Sequence, residues 1–173
     1  ERIVEPMHAH LSSQTTPYRG VLFIGLMIDE LGDPYVVEFN VRFGDPECQV
    51  TLPLVATDMY DLLHGAATDQ LHEVELEVHD DVALTVVLAS EGYPASPIKG
   101  RHIDGLSEIL DEEAYGGAWI NFAGVSQDDD GHFIASGGRV LSCTAQGSDL
   151  QSTHDQAYAL LHKITLEGGH HRT

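Results

Sequence analysis

Apolar and polar positions alternate strictly from residue 37 to residue 43: Val37, Phe39, Val41 and Phe43 are apolar, and Glu38, Asn40 and Arg42 are polar. Period two marks a half-buried strand, because successive side chains leave opposite faces of the pleat. One face is therefore expected to bury four apolar groups. The other presents a carboxylate, a carboxamide and a guanidinium in a row, spaced by roughly 6.5–7 Å along the strand. Gly44, Asp45 and Pro46 break the strand, and Glu47 and Gln49 follow in the exit loop. Residues 20–29 are apolar on both faces and predict a buried central strand. Between the two, Glu30-Leu31-Gly32-Asp33-Pro34 has the composition of a reversing turn, so residues 20–43 predict a β-hairpin. An ordinary solvated strand carries a loose mixture of polar groups; Glu-x-Asn followed by Arg and a Gly-Asp-Pro turn resembles the floor of a site.

The remaining pattern falls into two parts. Residues 7–19 are polar and turn-rich, a helix end followed by a loop, with His8 and His10 read as surface groups rather than a chelating pair. Asp58 (or Thr57) is the expected N-cap of a helix running to about residue 71, with Met59, Leu62, Leu63, Ala66 and Ala67 on one face. Residues 72–81 are dense in acids, although Val74, Leu76 and Val78 alternate with them as in an edge strand. After this seam short strands recur at 82–90, 118–123, 132–135 and 139–145, between glycine-rich turns. A last helix over 152–164 has Ala157, Leu160, Leu161 and Ile164 as its apolar stripe. The pattern predicts an α+β chain of two domains, residues 1–72 and a β-rich domain over 73–173.

Composition narrows the partners. The chain has 173 residues, enough for one domain or two small ones, with 28 acidic against 8 basic residues and a net charge of −20. A field of that sign repels nucleic acid and anionic membranes, and neither is an expected partner. The acids are dispersed, as on a solubility surface, rather than gathered into cation sites. No signal peptide and no apolar run of ~18 residues is present, so neither secretion by that route nor a membrane-spanning helix is expected. Cys48 and Cys143 form no framework and suggest reduced thiols in a cytoplasmic protein. Cys48 has no local Cys-His signature and is read as a packing residue.

Several motifs do not carry chemistry. Ser126-x-Asp128-x-Asp130-Gly131 begins like a calcium loop, but the twelfth position, where a bidentate Glu is needed, is Gly137; a hairpin turn is expected instead. Neither a Gly-x-x-x-x-Gly-Lys-Ser/Thr loop nor a Gly-x-Ser-x-Gly elbow occurs. His170-His171 is a tail or an interrupted element. Ser136-Gly137-Gly138-Arg139 reads as a tight turn whose tandem glycines allow close backbone approach.

The run Glu-Phe-Asn-x-Arg-Phe-Gly-Asp-Pro-Glu-x-Gln, from Glu38 to Gln49, resembles the signature of the phosphoribosylamine–glycine ligases, also called glycinamide ribonucleotide synthetases, of the ATP-grasp superfamily. Residues 18–29, Glu91-Gly92-Tyr93-Pro94, the Gly137-Gly138-Arg139-Val140-Leu141 run and Ala157-Tyr158-Ala159 are similar to the same family in order and spacing. The resemblance implies the C-terminal half of an ATP-grasp domain, an antiparallel sheet with helices, followed by a small β-rich C-terminal domain. It also implies ATP-dependent joining of glycine to 5-phosphoribosylamine through a glycyl phosphate, in de novo purine biosynthesis. Glu38 and Asn40 match the family's Mg²⁺ or Mn²⁺ ligands, with ATP as co-substrate. Arg42, on the same strand face, is expected to stabilise charge on the acyl phosphate or hold a substrate anion, and Asp45, which matches the family's loop at the substrate side, to orient the attacking amine.

The family's phosphate-covering loop and ATP-gripping lysines lie upstream of the matched part, and this chain has no lysine before Lys99. It begins without an initiator Met, and Arg172-Thr173 is similar to the start of the family's closing segment. A fragment that needs the N-terminal part of the enzyme is therefore expected. The alternatives are a free-standing non-catalytic module and another ATP-grasp carboxylate–amine ligase. The Arg-Phe-Gly-Asp-Pro-Glu run and the Gly-Gly-Arg segment disfavour the second.

Overall fold

A computed structural model describes residues 2–111 and 117–173; Glu1 lies outside the described residues. The chain divides into two compact units, Glu1–Cys48 with Val55–Val78, and Gln49–Leu54 with His79–Thr173. Helices and antiparallel sheets make up both, as the α+β expectation required. No helix among the described residues is long and apolar enough to cross a membrane.

The first unit opens with α1 (Val4–Ser12), whose Pro6 sits in the first turn, where a missing N–H costs nothing. The hairpin follows as expected: β1 (Phe23–Ile28) pairs antiparallel with β2 (Pro34–Asn40), with a register shift between Gly25 and Leu26. Asp29 closes its turn, its Oδ1 accepting from Leu31 N at 2.9 Å and Asp33 N at 2.8 Å. Two expectations are corrected. The strand ends at Asn40, so Arg42 lies beyond it; Asn40 pairs with Phe23, the first residue of β1, and the ladder has no partner further on. Nor is the apolar face buried: Val37 is 66% and Val41 72% exposed, and Leu26, Met27 and Ile28 of the supposed central strand are exposed too. The sheet is a two-stranded ribbon with no third strand among the described residues.

The single turn α2 (Cys48–Thr51) precedes α3 (Met59–Thr68). Asp58 caps α3 as expected, accepting from Tyr60 N at 2.8 Å. The helix stops at Thr68 because Asp69 turns left-handed, with φ +66°. Met59, Leu62 and Ala66 are half-buried, while Leu63 and Ala67 of the expected face are exposed. The acid-rich seam forms no strand. A 3-10 turn occupies Leu71–Glu73, and pairing is limited to one bridge between Val55 and Val78 beside a Thr57 hydroxyl that donates to Glu75 O and accepts from Glu77 N.

The second unit holds the core. β3 (Val82–Ala89) lies antiparallel to the central strand of a three-stranded sheet. The short β4 (Ile103–Asp104) leads into α4 (Leu106–Asp111). β5 (Ala118–Phe122) is the far edge of the sheet, and the hairpin of β6 (Val125–Gln127) and β7 (Phe133–Ala135) fills the place of the rejected calcium loop. β8 (Arg139–Gly147) is the central strand, between β3 and β5. α5 (Leu150–Leu161) packs on β3 and β8, and β9 (Thr165–Leu166) pairs with β4.

β8 is buried along most of its length; of its buried hydroxyls Thr144 is bonded across the sheet, whereas Ser142 Oγ has no hydrogen-bond partner among the described residues. The Thr144 hydroxyl donates to Asn121 Oδ1 at 2.8 Å and lies 2.8 Å from the Thr85 hydroxyl on the opposite strand. The expected stripe of α5 is the one that faces the sheet: Ala157, Leu160, Leu161 and, just past the helix end, Ile164 are all buried. Asp149 caps α5, its Oδ1 accepting from Ser152 N at 2.9 Å. The Ser152 side chain and backbone hydrogen bonds hold its carboxyl below the usual range.

Neither cysteine is in a disulfide. Burial pushes the Cys143 thiol up to about 12. Alkylation at about pH 8.5, near the ordinary thiol value, is therefore expected to spare Cys143 in the folded chain and to modify it in urea. Rapid native labelling would contradict this. Because the folded thiol keeps its proton longer than the unfolded one, its contribution to stability is full below 9.0, the ordinary value, and is lost as pH rises towards 12.

Candidate active-site strand

The hairpin positions the polar groups singled out in the sequence. Glu38 pairs with Gly25, and residues directly opposite in an antiparallel ladder project from the same face. A Cβ at position 25 would lie 3.1 Å from Glu38 Cγ, tighter than ordinary contact. Glycine at that position therefore leaves room for the Glu38 side chain. Gly25 was not among the residues singled out from sequence. The available signal was a glycine inside an otherwise apolar strand, which marks a bulge or a close approach, and the register shift beside it is such a feature.

Asn40 lies two residues on from Glu38, on the same face, and is half-buried opposite Phe23. Glu38 itself is exposed. A carboxylate and a carboxamide oxygen side by side form a hard donor set of the kind Mg²⁺ and Mn²⁺ prefer, and the two residues fit such an ion chemically.

Arg42 and Asp45 follow in the exit segment, outside the ladder. The Arg42 Nη1 donates to Phe43 O at 2.7 Å, so the guanidinium is held against its own backbone rather than continuing the strand's polar row. Gly44 is buried, and its carbonyl accepts from Cys48 N at 3.0 Å, which winds the exit segment into α2. Asp45, exposed, precedes Pro46 through a cis peptide. Tyr18 ties the entry of β1 to the exit of β2: its hydroxyl donates to Val21 O at 2.7 Å and lies 3.4 Å from Val41 O.

In the second unit the glycines before Arg139 serve close backbone contact, as expected. A Cβ on Gly138 would strike the Tyr93 ring at 2.4 Å, and one on Gly124 would meet the Gly137 backbone at 2.6 Å. Ser90 clamps the turn, its N–H donating to Gly138 O and its hydroxyl to Gly137 O, both at 2.8 Å.

Two family profiles match this chain. Residues 1–48 match the ATP-grasp (A) domain of phosphoribosylglycinamide synthetase, and residues 83–173 match its C domain. Among curated relatives, phosphoribosylamine–glycine ligase of Mycobacterium bovis is 45% identical over 173 residues, covering 99% of this chain and 39% of the relative. The chloroplastic enzyme of Arabidopsis thaliana is 40% identical, covering 99% of this chain and 32% of its own length. The crystal structure of phosphoribosylamine–glycine ligase from Thermotoga maritima superimposes with a TM-score of 0.71 at 34% identity, over 94% of this chain and 38% of that one. N5-carboxyaminoimidazole ribonucleotide synthetase from the same organism, at 18% identity and a TM-score of 0.51, shares the fold. The chain thus spans about two fifths of the length of the bacterial relative it matches. With its C-domain match alone covering residues 83–173, and the signature strand at the end of the A-domain match, the chain belongs to the phosphoribosylglycinamide synthetase family.

Proposed function

We propose that this chain contributes the metal-binding strand and the C-terminal domain of a phosphoribosylamine–glycine ligase, which joins glycine to 5-phosphoribosylamine and converts ATP to ADP and phosphate in purine biosynthesis. The observation that carries the reading is the signature run from Glu38 to Gln49 at the exit of the hairpin, with Glu38 and Asn40 on one face. The first unit then belongs to the ATP-grasp domain. We place the domain division at residues 72 and 73, between the two matched ranges. Neither cysteine is in a disulfide, which suits a reducing compartment, and we infer the cytoplasm.

The reaction brings two anions together, the glycine carboxylate and the γ-phosphate. Two unit charges 4 Å apart repel by roughly 4 kcal/mol near a protein surface. Glu38 and Asn40 would hold the Mg²⁺ or Mn²⁺. An ion there would supply positive charge against the phosphate oxygens and so lower that repulsion. Arg42 offers the remaining guanidinium N–H groups to a substrate anion or to the charge of the glycyl phosphate. Asp45, an exposed carboxylate in the loop after the strand, orients the attacking amine. The grip on ATP is assigned to residues outside these 173, since no lysine precedes Lys99.

Full-length protein containing this chain is expected to release ADP only when both glycine and 5-phosphoribosylamine are supplied. Equal release with another carboxylate and amine, glycine being inert, would overturn the assignment. The 173-residue chain alone is expected to show no micromolar affinity for ATP by calorimetry; micromolar binding would place the nucleotide grip within it.

A further inference from the structure

A second group of ligating side chains lies in the second unit, away from the signature hairpin in sequence. His102, Asp128 and His132 each offer one ligand atom, and the three atoms lie within 4.8 Å of one another. The backbone explains the meeting. Residue 102 forms an antiparallel bridge with Ile134, and Arg101 O accepts from Ala135 N at 2.8 Å. His132 stands two residues before Ile134 and therefore shares the face of His102. Asp128 opens the β6–β7 turn, four residues before His132. Its Oδ1 is engaged by backbone, accepting from His132 N at 2.8 Å and Asp130 N at 3.1 Å. That leaves Oδ2 directed at both imidazoles, 3.4 Å from His102 Nε2 and 3.5 Å from His132 Nδ1.

These distances discriminate between two explanations. A charge-assisted N–H···O bond would draw the atoms to about 2.7–2.9 Å. Ligands at roughly 2.0–2.1 Å from a tetrahedral ion stand about 3.4 Å apart, which is the spacing of both carboxylate–imidazole pairs. The imidazoles stack on each other with centroids 5.4 Å apart. The fixed Oδ1 supplies the supporting shell that metal-ligating carboxylates ordinarily have. The His132 backbone N–H keeps the Asp128 carboxyl below the usual range.

We propose that His102 Nε2, Asp128 Oδ2 and His132 Nδ1 form a binding site for a borderline divalent cation of the zinc class, clipping the segment at residue 102 to the β6–β7 turn. Two imidazole nitrogens and one carboxylate oxygen suit Zn²⁺ and disfavour Mg²⁺ and Ca²⁺, which take all-oxygen shells. Three protein ligands leave the fourth position to water. The site is independent of the ligase reading and would stand if that reading failed.

The test is titration of the full 173-residue chain with Zn²⁺, following the histidine ring resonances by NMR. This separates these two rings from the other nine histidines. The rings of His102 and His132 are expected to shift together by the first equivalent, Mg²⁺ moving neither, and the melting temperature is expected to rise with Zn²⁺. Asp128→Asn keeps the Oδ1 acceptor of the turn and removes the ligand; it should weaken Zn²⁺ binding at these rings by about tenfold or more. Saturation of other histidines while these two rings stay unmoved would overturn the proposal. So would an Asp128→Asn chain that melts like the parent without metal and binds Zn²⁺ at His102 and His132 equally well.

Discussion

Glu38→Ala in the full-length protein is expected to lower ligation by on the order of a thousandfold while leaving the melting temperature within about 2 °C of the parent. The two halves of that expectation rest on separate facts. Glu38 is exposed on a two-stranded ribbon and faces a glycine, so its truncation opens no cavity and strands no buried partner. On the proposed reading, the same truncation removes the anionic member of the pair that holds the divalent ion, and Asn40 alone supplies only a neutral oxygen. Steady-state ADP release with glycine and 5-phosphoribosylamine is the measurement, alongside a thermal melt. Near-normal turnover would remove Glu38 from the metal site.

The second large effect is on folding. Gly105, between β4 and α4, has φ +88°, and a Cβ there would stand 2.1 Å from the Lys163 carbonyl oxygen. Neither backbone can yield freely, because Leu106 beside Gly105 and Ile164 beside Lys163 are both buried in the core. Gly105→Ala therefore adds a steric clash of about 1–3 kcal/mol to a left-handed backbone penalty of about 1–2 kcal/mol. That is a large part of the stability of a small domain, roughly 5–15 kcal/mol in all. Gly100→Ala is the control: its φ of +85° carries the same backbone penalty, but nothing lies within 4 Å of the added carbon. Urea denaturation should show Gly105→Ala losing distinctly more than Gly100→Ala. Equal losses would mean that the clash is relieved locally.

Much of the architecture was legible because it is written locally. Period two with a Gly-Asp-Pro turn sufficed for the β1–β2 hairpin, and the spacing of Ala157, Leu160 and Leu161 sufficed for the buried face of α5. Asp58 was recognisable as a cap because a cap needs only its own helix. The contiguous run from Glu38 to Gln49 carried the candidate site and the family resemblance together.

What failed to read from sequence was non-local. Alternation at Val37, Phe39 and Val41 tells which face is apolar, not whether a second layer lies on it, and these residues are exposed. The ladder's end at Asn40 depends on where the partner strand starts, which placed Arg42 outside the row it was expected to complete. The acid-rich seam at 72–81 alternates like a strand but finds only one bridge.

By itself, then, the amino-acid sequence determined the β1–β2 hairpin, the Asp58 cap, the buried stripe of the last helix, and the contiguous signature with its hard oxygen donors. Each depends on contacts within a few residues along the chain. Tertiary structure alone decided that Gly25 faces Glu38 and that Gly105 abuts Lys163. It alone brought His102 to Asp128 and His132, by an antiparallel bridge that joins segments more than twenty residues apart. Strand register is a cooperative outcome of pairing and core packing, and no local pattern specifies it.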